Sequence, residues 1–308
     1  MTTDVTDITN DDNFHVVLNS QVHISSVETL SNGHFTTQQK QLIDHMMLAS
    51  QWMIAPEKAL LTVNITTQRG VRTCVNPTLS RLYPMNDRLL RFTQLPHYMF
   101  TDTLVSGTKS SWGNKYSQVF TAPYGWTCAF PMKRKGNAHE ALSLLFHRNG
   151  IPPAMVIDGS KEQMLGDFMR KLKEADCHLQ QTEPYSPWMN AAESAVRELK
   201  RGVSQKIWTR SPKVLWDHCI ELEALIRSHL VTMIYVTNGQ VPEMIMTGTT
   251  ADISHISEFG WYDWVMFWDN TPTFPEDSIV LGRYLGPATD VGGMMTAKIL
   301  KENGQFVY

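Results

Sequence analysis

Cysteine is scarce. The 308 residues contain four, Cys74, Cys128, Cys177 and Cys219, and none belongs to a C-x-x-C pair. That spacing excludes a zinc site built from cysteines and a disulfide framework, and it suits a reducing compartment. No run of about 18 apolar residues occurs, so no membrane-spanning helix is predicted. Met1 to Asn13 is polar and acidic, unlike a secretory signal, so the chain is expected to be intracellular, nuclear or cytoplasmic, and not secreted. Also missing are the G-x-S-x-G nucleophile turn, the G-x-x-x-x-G-K-[ST] phosphate loop and the G-x-G-x-x-G dinucleotide fingerprint. No small-molecule cofactor is therefore expected. The 11 histidines are dispersed, and His139 and His147, on one predicted helix, read as surface residues rather than ligands.

A net charge of −3 conceals a strong asymmetry. Residues 61–210 hold 20 Lys/Arg against 11 Asp/Glu, whereas 1–60 hold 2 against 7 and 211–308 hold 5 against 12. A basic middle between acidic flanks points first to a polyanionic partner. With 42% hydrophobic residues, most of the chain should fold, as two domains or as one core with appendages.

Residues 1–35, rich in Thr, Asp, Asn and Ser, read as a loosely ordered acidic leader. Residues 36–96 read as a helical segment and a basic linker. Helical spacing runs from Thr37 through Leu42, Ile43, Met46, Met47 and Trp52, and a second helix covers Glu57 to Val63 after Pro56. This outline fits either a DNA-reading helix-turn-helix or two short helices packed on a core. Arg69, Arg72, Arg81, Arg88 and Arg91 follow, either in a solvated linker or against phosphates.

Residues 97–235 read as an α/β core. Strands are predicted at Tyr98–Val105, Tyr116–Thr121 and Thr127–Met132, with turns at Gly113-Asn114 and Tyr124-Gly125. Lys133-Arg134-Lys135 leads to Asn137, a predicted N-cap for a helix over Ala138–Arg148. An apolar strand ending at Ile157-Asp158-Gly159 comes next, then a helix over Lys161–Ala175 and a strand over His178–Gln181. A helix beginning near Asn190 and another over Pro212–Thr232 complete a mixed sheet flanked by helices. Residues 236–308 read as a connecting segment and a small β-barrel or sheet, with strands at Trp264–Trp268, Ile279–Tyr284, Ala297–Leu300 and Gln305–Tyr308.

Two acids occupy positions suited to metal chemistry: Asp158 at a strand end and Glu193 in the first turn of a helix. Glu193, Arg197, Lys200 and Ser204 share one face of that helix, opposite the apolar stripe Ala192, Val196, Leu199, Val203 and Ile207. That face fits an ordinary solvated helix with i,i+4 pairing, or a site. A third acid, Asp102, sits within the apolar strand Met99–Val105, on the side of Phe100 and Leu104; it faces water at an edge or joins the other two.

Asp102, Asp158-Gly159-Ser160, the loop Tyr185-Ser186-Pro187-Trp188-Met189-Asn190 and Ala191-Ala192-Glu193 resemble the Asp-Asp-Glu core of retroviral-type integrases, closest to those of Ty1/copia-type retrotransposon polyproteins. Val241–Gly248, Phe259-Gly260-Trp261 and Leu281–Gly286 resemble segments downstream of that core. The resemblance spans about residues 60–308. It implies a ribonuclease-H-like fold with a mixed five-stranded sheet, an N-terminal helical segment and a small C-terminal β module. It also implies catalytic and metal-binding roles for Asp102, Asp158 and Glu193 around two Mg²⁺ or Mn²⁺ ions, and DNA contacts from Asn190, Arg197, Lys200 and Arg201. The activity implied is 3′-end processing and strand transfer of element DNA into target DNA by a homo-oligomer. Two features depart from the family: the Asp158–Glu193 interval is one residue shorter than its more usual spacing, and no His/Cys zinc module is visible. A catalytically inactive, nucleic-acid-binding remnant of such a polyprotein is the alternative.

Overall fold

The computed structural model describes residues 14–15, 43–68, 94–158, 166–182, 190–232, 237, 239–269, 279–288, 291 and 296–308. The five arginines between Arg69 and Arg91, the pair Gly159-Ser160 and the loop from Tyr185 to Met189 lie outside them.

Asp44 starts the first helix, α1 (His45–Trp52), by accepting a hydrogen bond from the Met46 amide at 3.0 Å. Pro56 starts the second, α2 (Pro56–Ile65), where its fixed φ and missing N–H cost nothing. Leu48, Trp52, Ala59 and Val63 of these helices join one buried cluster with Leu215, Cys219, Ile226, Ile256 and Trp261. One face of each helix is thus buried in the core, while Met46, Met47, Leu60 and Leu61 are exposed.

The central sheet begins with an antiparallel meander: β1 (Met99–Val105), β2 (Tyr116–Thr121) and β3 (Thr127–Met132). Gly113 at φ 80° and Gly125 at φ 95° supply the left-handed positions its turns require. The helix α3 (Ala138–Arg148) then crosses to β4 (Ala154–Ile157), which lies parallel to β1 on its other side. A further helix, α4 (Asp167–Glu174), crosses to β5 (His178–Gln181), parallel to β4. The strand order is β3-β2-β1-β4-β5, a mixed five-stranded sheet with helices on both faces. This is the ribonuclease-H-like architecture expected from the sequence.

Alternation along the strands feeds two cores. On one face Met99, Phe120, Phe130, Met155 and Ile157 meet Leu142, Leu145 and Phe146 of α3 and Phe168 and Leu172 of α4. On the other, Leu104, Val119 and Ala129 meet Ala195, Val196 and Leu199 of α5 (Ala191–Arg210) and Trp216, Ile220 and Ala224 of α6 (Trp216–His229). The short helices α7 (Pro242–Thr247) and α8 (Ser254–Ser257) follow. The chain ends in an antiparallel sheet, β6 (Trp264–Trp268), β7 (Ile279–Pro287), β8 (Ala297–Lys301) and β9 (Phe306–Val307). It is a sheet rather than a barrel, and Phe14-His15 pairs in parallel with Trp264-Val265 at its edge.

Two local details differ from expectation. Asn137 stands at the N-cap of α3 as expected, but its side chain makes no capping bond, because Lys135–Asn137 forms a 3-10 turn that runs directly into the helix. The long helix expected from Pro212 instead opens with a 3-10 turn, Lys213–Leu215, and gives way to extended backbone at Leu230. The sequence also gives no warning of Lys206, which is 2% exposed although it stands in a run of surface cations. Its ammonium donates to Glu223 Oε2 at 2.6 Å and to the Trp52 carbonyl at 3.1 Å, joining α5, α6 and α1. Removing one partner of a buried pair leaves an uncompensated charge, so Lys206→Met should cost about 3–5 kcal/mol. The double variant Lys206→Met/Glu223→Leu should recover most of that loss. Urea unfolding of the parent, single and double variants measures both, and equal losses in the two variants would refute the pairing account.

Candidate functional site

Parallel pairing sets the positions of the first two acids. Thr101 of β1 lies opposite Ile157 of β4, so the next residue on each strand is an aspartate, Asp102 and Asp158. Asp102 lies opposite Val119 on β2, and its neighbours on that face, Val119 and Leu104, are both buried against α5 and α6. Asp158, immediately past the end of β4, is exposed.

A buried polar lock fixes the strand beneath Asp102. Thr101 and Thr103 point to the opposite face, where Gln118 of β2 donates to Thr101 Oγ1 at 2.6 Å and accepts from Thr103 Oγ1 at 2.9 Å. Thr101 Oγ1 also donates to the Val119 carbonyl at 2.9 Å. Gln118 and Thr101 are fully buried, and these bonds satisfy both ends of the amide. Nothing in the sequence pattern singles Gln118 out beyond its place in a strand.

The electrostatics of Asp102 follow from this placement. Burial raises its carboxyl pKa above the ordinary carboxylate value, and the charge of Asp158 raises it further. The Thr103 amide, which donates to Asp102 Oδ1 at 2.6 Å, works in the opposite direction, as do the charges of Lys200 and Lys135. Lys200 is one of the cations that the sequence places on the Glu193 face of α5. Lys135 comes from the basic triplet after β3, which the sequence does not connect with the site.

The remaining candidates occupy α5. Glu193 is in its first turn and exposed, as are Arg197, Lys200 and Arg201. None of these four forms an ion pair among the described residues, so the i,i+4 Glu193–Arg197 support that a solvated face would offer is not made. Asn190 caps the helix: its Oδ1 accepts from the Ala192 amide at 3.0 Å. It is only 3% exposed, and its Nδ2 is buried without a partner among the described residues.

The fold therefore brings Asp102 and Asp158 together and sets α5 across the face that carries Asp102. Among the described residues, no three His, Cys, Asp or Glu side chains stand close enough to hold one ion. Two hard carboxylates that repel one another, one of them half-buried, nonetheless fit a divalent cation, whose charge would relieve both burial and repulsion. No described helix is long and apolar enough to cross a membrane.

No protein-family model matches the chain, and no curated protein matches its sequence. Among solved structures, the catalytic core domain of BIV integrase is similar to 49% of this chain and to 94% of its own, at 13% identity and a TM-score of 0.40. At that distance no residue role passes from one chain to the other, and the site stands on its own geometry.

The raised pKa of Asp102 has a signed consequence for stability. A carboxyl whose folded pKa lies above its unfolded value adds stability at low pH, and that contribution disappears as pH rises through the folded pKa. Asp102→Asn removes the buried charge, so in chelator at pH 7 it should unfold at a higher temperature than the parent. The gap should narrow as pH falls into the ordinary carboxylate range. Thermal unfolding of both proteins across that range checks this, and a lower midpoint for the variant at pH 7 would contradict it.

Proposed function

We propose that this protein is a retrotransposon-type integrase: a metal-dependent polynucleotidyl transferase and endonuclease that trims the 3′ ends of element DNA and joins them to target DNA. The observation that carries the proposal is the register of β1 and β4, which delivers two aspartates side by side under a helix bearing exposed cations. The resemblance of Asp102, Asp158 and Ala191-Ala192-Glu193 to an Asp-Asp-Glu core, of the Ty1/copia type, supports it.

Each residue then has a role. Asp102 and Asp158 would hold Mg²⁺ or Mn²⁺, with Glu193 as the third ligand that the resemblance assigns. Bound ions, two per site, would activate the attacking water or 3′-hydroxyl and stabilise the leaving oxygen of an in-line displacement at phosphorus. Asp102, held from below by Thr101, Thr103 and Gln118, is the rigid member of the set. Asp158, exposed at the strand end, faces the solvent side from which a phosphodiester would arrive. Arg197, Lys200 and Arg201 would contact DNA phosphates without reading base sequence. Two DNA partners, the element end and the target, suit a homo-oligomer that holds both.

One observation favours a second reading. Without a three-carboxylate cluster among the described residues, the same surface serves a catalytically inactive protein that binds nucleic acid. A titration of Mg²⁺ and Mn²⁺ in a strand-joining reaction separates the two. An integrase joins ends with metal dependence, and Asp158→Asn or Glu193→Gln reduces joining to background while DNA affinity in chelator is unchanged. If either variant joins at the parent rate, that acid is not catalytic. If the parent never joins at any metal concentration, the inactive reading stands.

The cations on α5 have their own test. Replacing Arg197 or Lys200 with alanine should lower the slope of log affinity against log salt by about 0.9 for each duplex phosphate that the side chain neutralises. An unchanged slope would remove that residue from the interface.

A further inference from the structure

A strongly basic concavity lies at the end of the sheet where β1 turns into β2, and not on α5. The loop from β1 to β2 and the turn after β3 enclose an open cleft of about 480 Å³ lined by Lys109, Lys115, Lys133, Arg134 and Lys135, with Tyr116 on its wall. Its lining contains no acid, and none of the five cations is in an ion pair with an acid among the described residues. Five like charges converging without a counter-charge destabilise a fold, and a multivalent anion is the ligand that offsets this. We propose that the cleft binds consecutive phosphates of a nucleic-acid strand and leads that strand to Asp102.

Two observations carry the assignment. The first is preorganisation. The Ser106 amide donates to the Lys115 carbonyl at 2.9 Å, and the Lys115 amide donates to the Met132 carbonyl at 3.2 Å, which ties the loop to β3. The Ser111 amide donates to the Val214 carbonyl at 2.8 Å, and Asn114 Nδ2 donates to buried Asp217 Oδ2 at 3.0 Å, which ties it to the start of α6. The cleft wall is therefore held by backbone bonds and a buried side chain, and its lysine ammoniums are left to a ligand.

The second observation is position. Tyr116 pairs with both Val105 and Met132, whereas Asp102 pairs with Val119, three residues away along β2. That separation is about 10 Å at ~3.4 Å per residue. A strand with one phosphate near Asp102 and Asp158 would place neighbouring phosphates over Lys135 and then over the other cations. This inference rests on the phosphoryl-transfer reading only for the direction of the strand; binding itself needs no catalysis.

The test uses the full chain in chelator, with fluorescence anisotropy of a labelled 12-nucleotide single strand measured across a salt series. The triple variant Lys133→Gln/Arg134→Gln/Lys135→Gln replaces exposed side chains, and its circular dichroism spectrum and melting temperature should match the parent's. Its salt slope should fall by about 2, at roughly 0.7 per single-strand phosphate neutralised. Lys109→Gln/Lys115→Gln should lower it by a further ~1.4 on the same basis. Tripolyphosphate, which offers phosphates without a strand, should compete only weakly. Unchanged slopes in properly folded variants would overturn the proposal. So would tripolyphosphate that competes as strongly as the unlabelled strand, since the cleft would then be a site for a small anion. The joining reaction distinguishes failures: loss of binding slope with no joining in the parent leaves the cleft and removes the enzyme, while joining with unchanged slopes does the reverse.

Discussion

The structure depends on the parallel contact between β1 and β4. β4 is four residues long and apolar throughout, with Met155, Val156 and Ile157 all buried. A strand buried on both faces reads as a continuous apolar run and cannot slip without exposing one face or the other. Met155 and Ile157 are fixed in the core beneath α3 and α4. Asp158, one position further, is thereby carried to the end of the strand, beside a residue of β1 that would otherwise be an unusual choice for a half-buried position. The acid pair is a by-product of register, and register is set by packing.

That arrangement has an energetic cost that the surroundings offset only in part. A carboxylate in the middle of β1, under the packed faces of α5 and α6, is desolvated and faces a second carboxylate. The Thr103 amide and the charges of Lys200 and Lys135 reduce the penalty without removing it. A fold optimised for stability alone would place an apolar residue at position 102, in line with Phe100 and Leu104 on the same face. The acid stands instead on a strand held by two neighbouring threonines and a buried glutamine, so its position is fixed although it costs stability.

Much of this was legible in the sequence, for identifiable reasons. The strands at Tyr116–Thr121, Thr127–Met132, His178–Gln181 and Trp264–Trp268 and the helix Ala138–Arg148 have the bounds that alternation, helical spacing and turn residues indicate. Where expectation and structure part, a local turn or a tertiary partner decided the outcome. Asn137 is a good capping residue, yet the chain enters α3 through a tight turn that leaves its side chain unused for capping. Lys206 and Lys200 look alike in sequence, six positions apart on one helix, but Glu223 from α6 draws the first into the core. Asn190 could be placed before a helix by its type, whereas its burial depends on neighbours distant in the chain. Gln118 carries no sequence signal at all, because its role exists only once β1 lies alongside β2.

The cations of α5 show why the charge of a segment and the charge of a surface differ. The helix carries Arg197, Lys200, Arg201, Lys206 and Arg210. Its C-terminal two are neutralised by acids: Lys206 by Glu223 at 2.6 Å, and Arg210 by Asp263 at 2.9 Å from the segment before β6. Those pairs attach the helix to α6 and to the C-terminal sheet. The first three remain exposed and unpaired with acids among the described residues, at the end nearer Glu193. The acidic residues abundant after position 210 therefore act partly as internal counter-ions, and they act at one end of the helix only. Lys200 from α5 and Lys135 from the triplet after β3 are the two cations whose charge reaches Asp102. A chain with a net charge of −3 thus keeps exposed cations on one part of its surface because its own acids neutralise cations elsewhere.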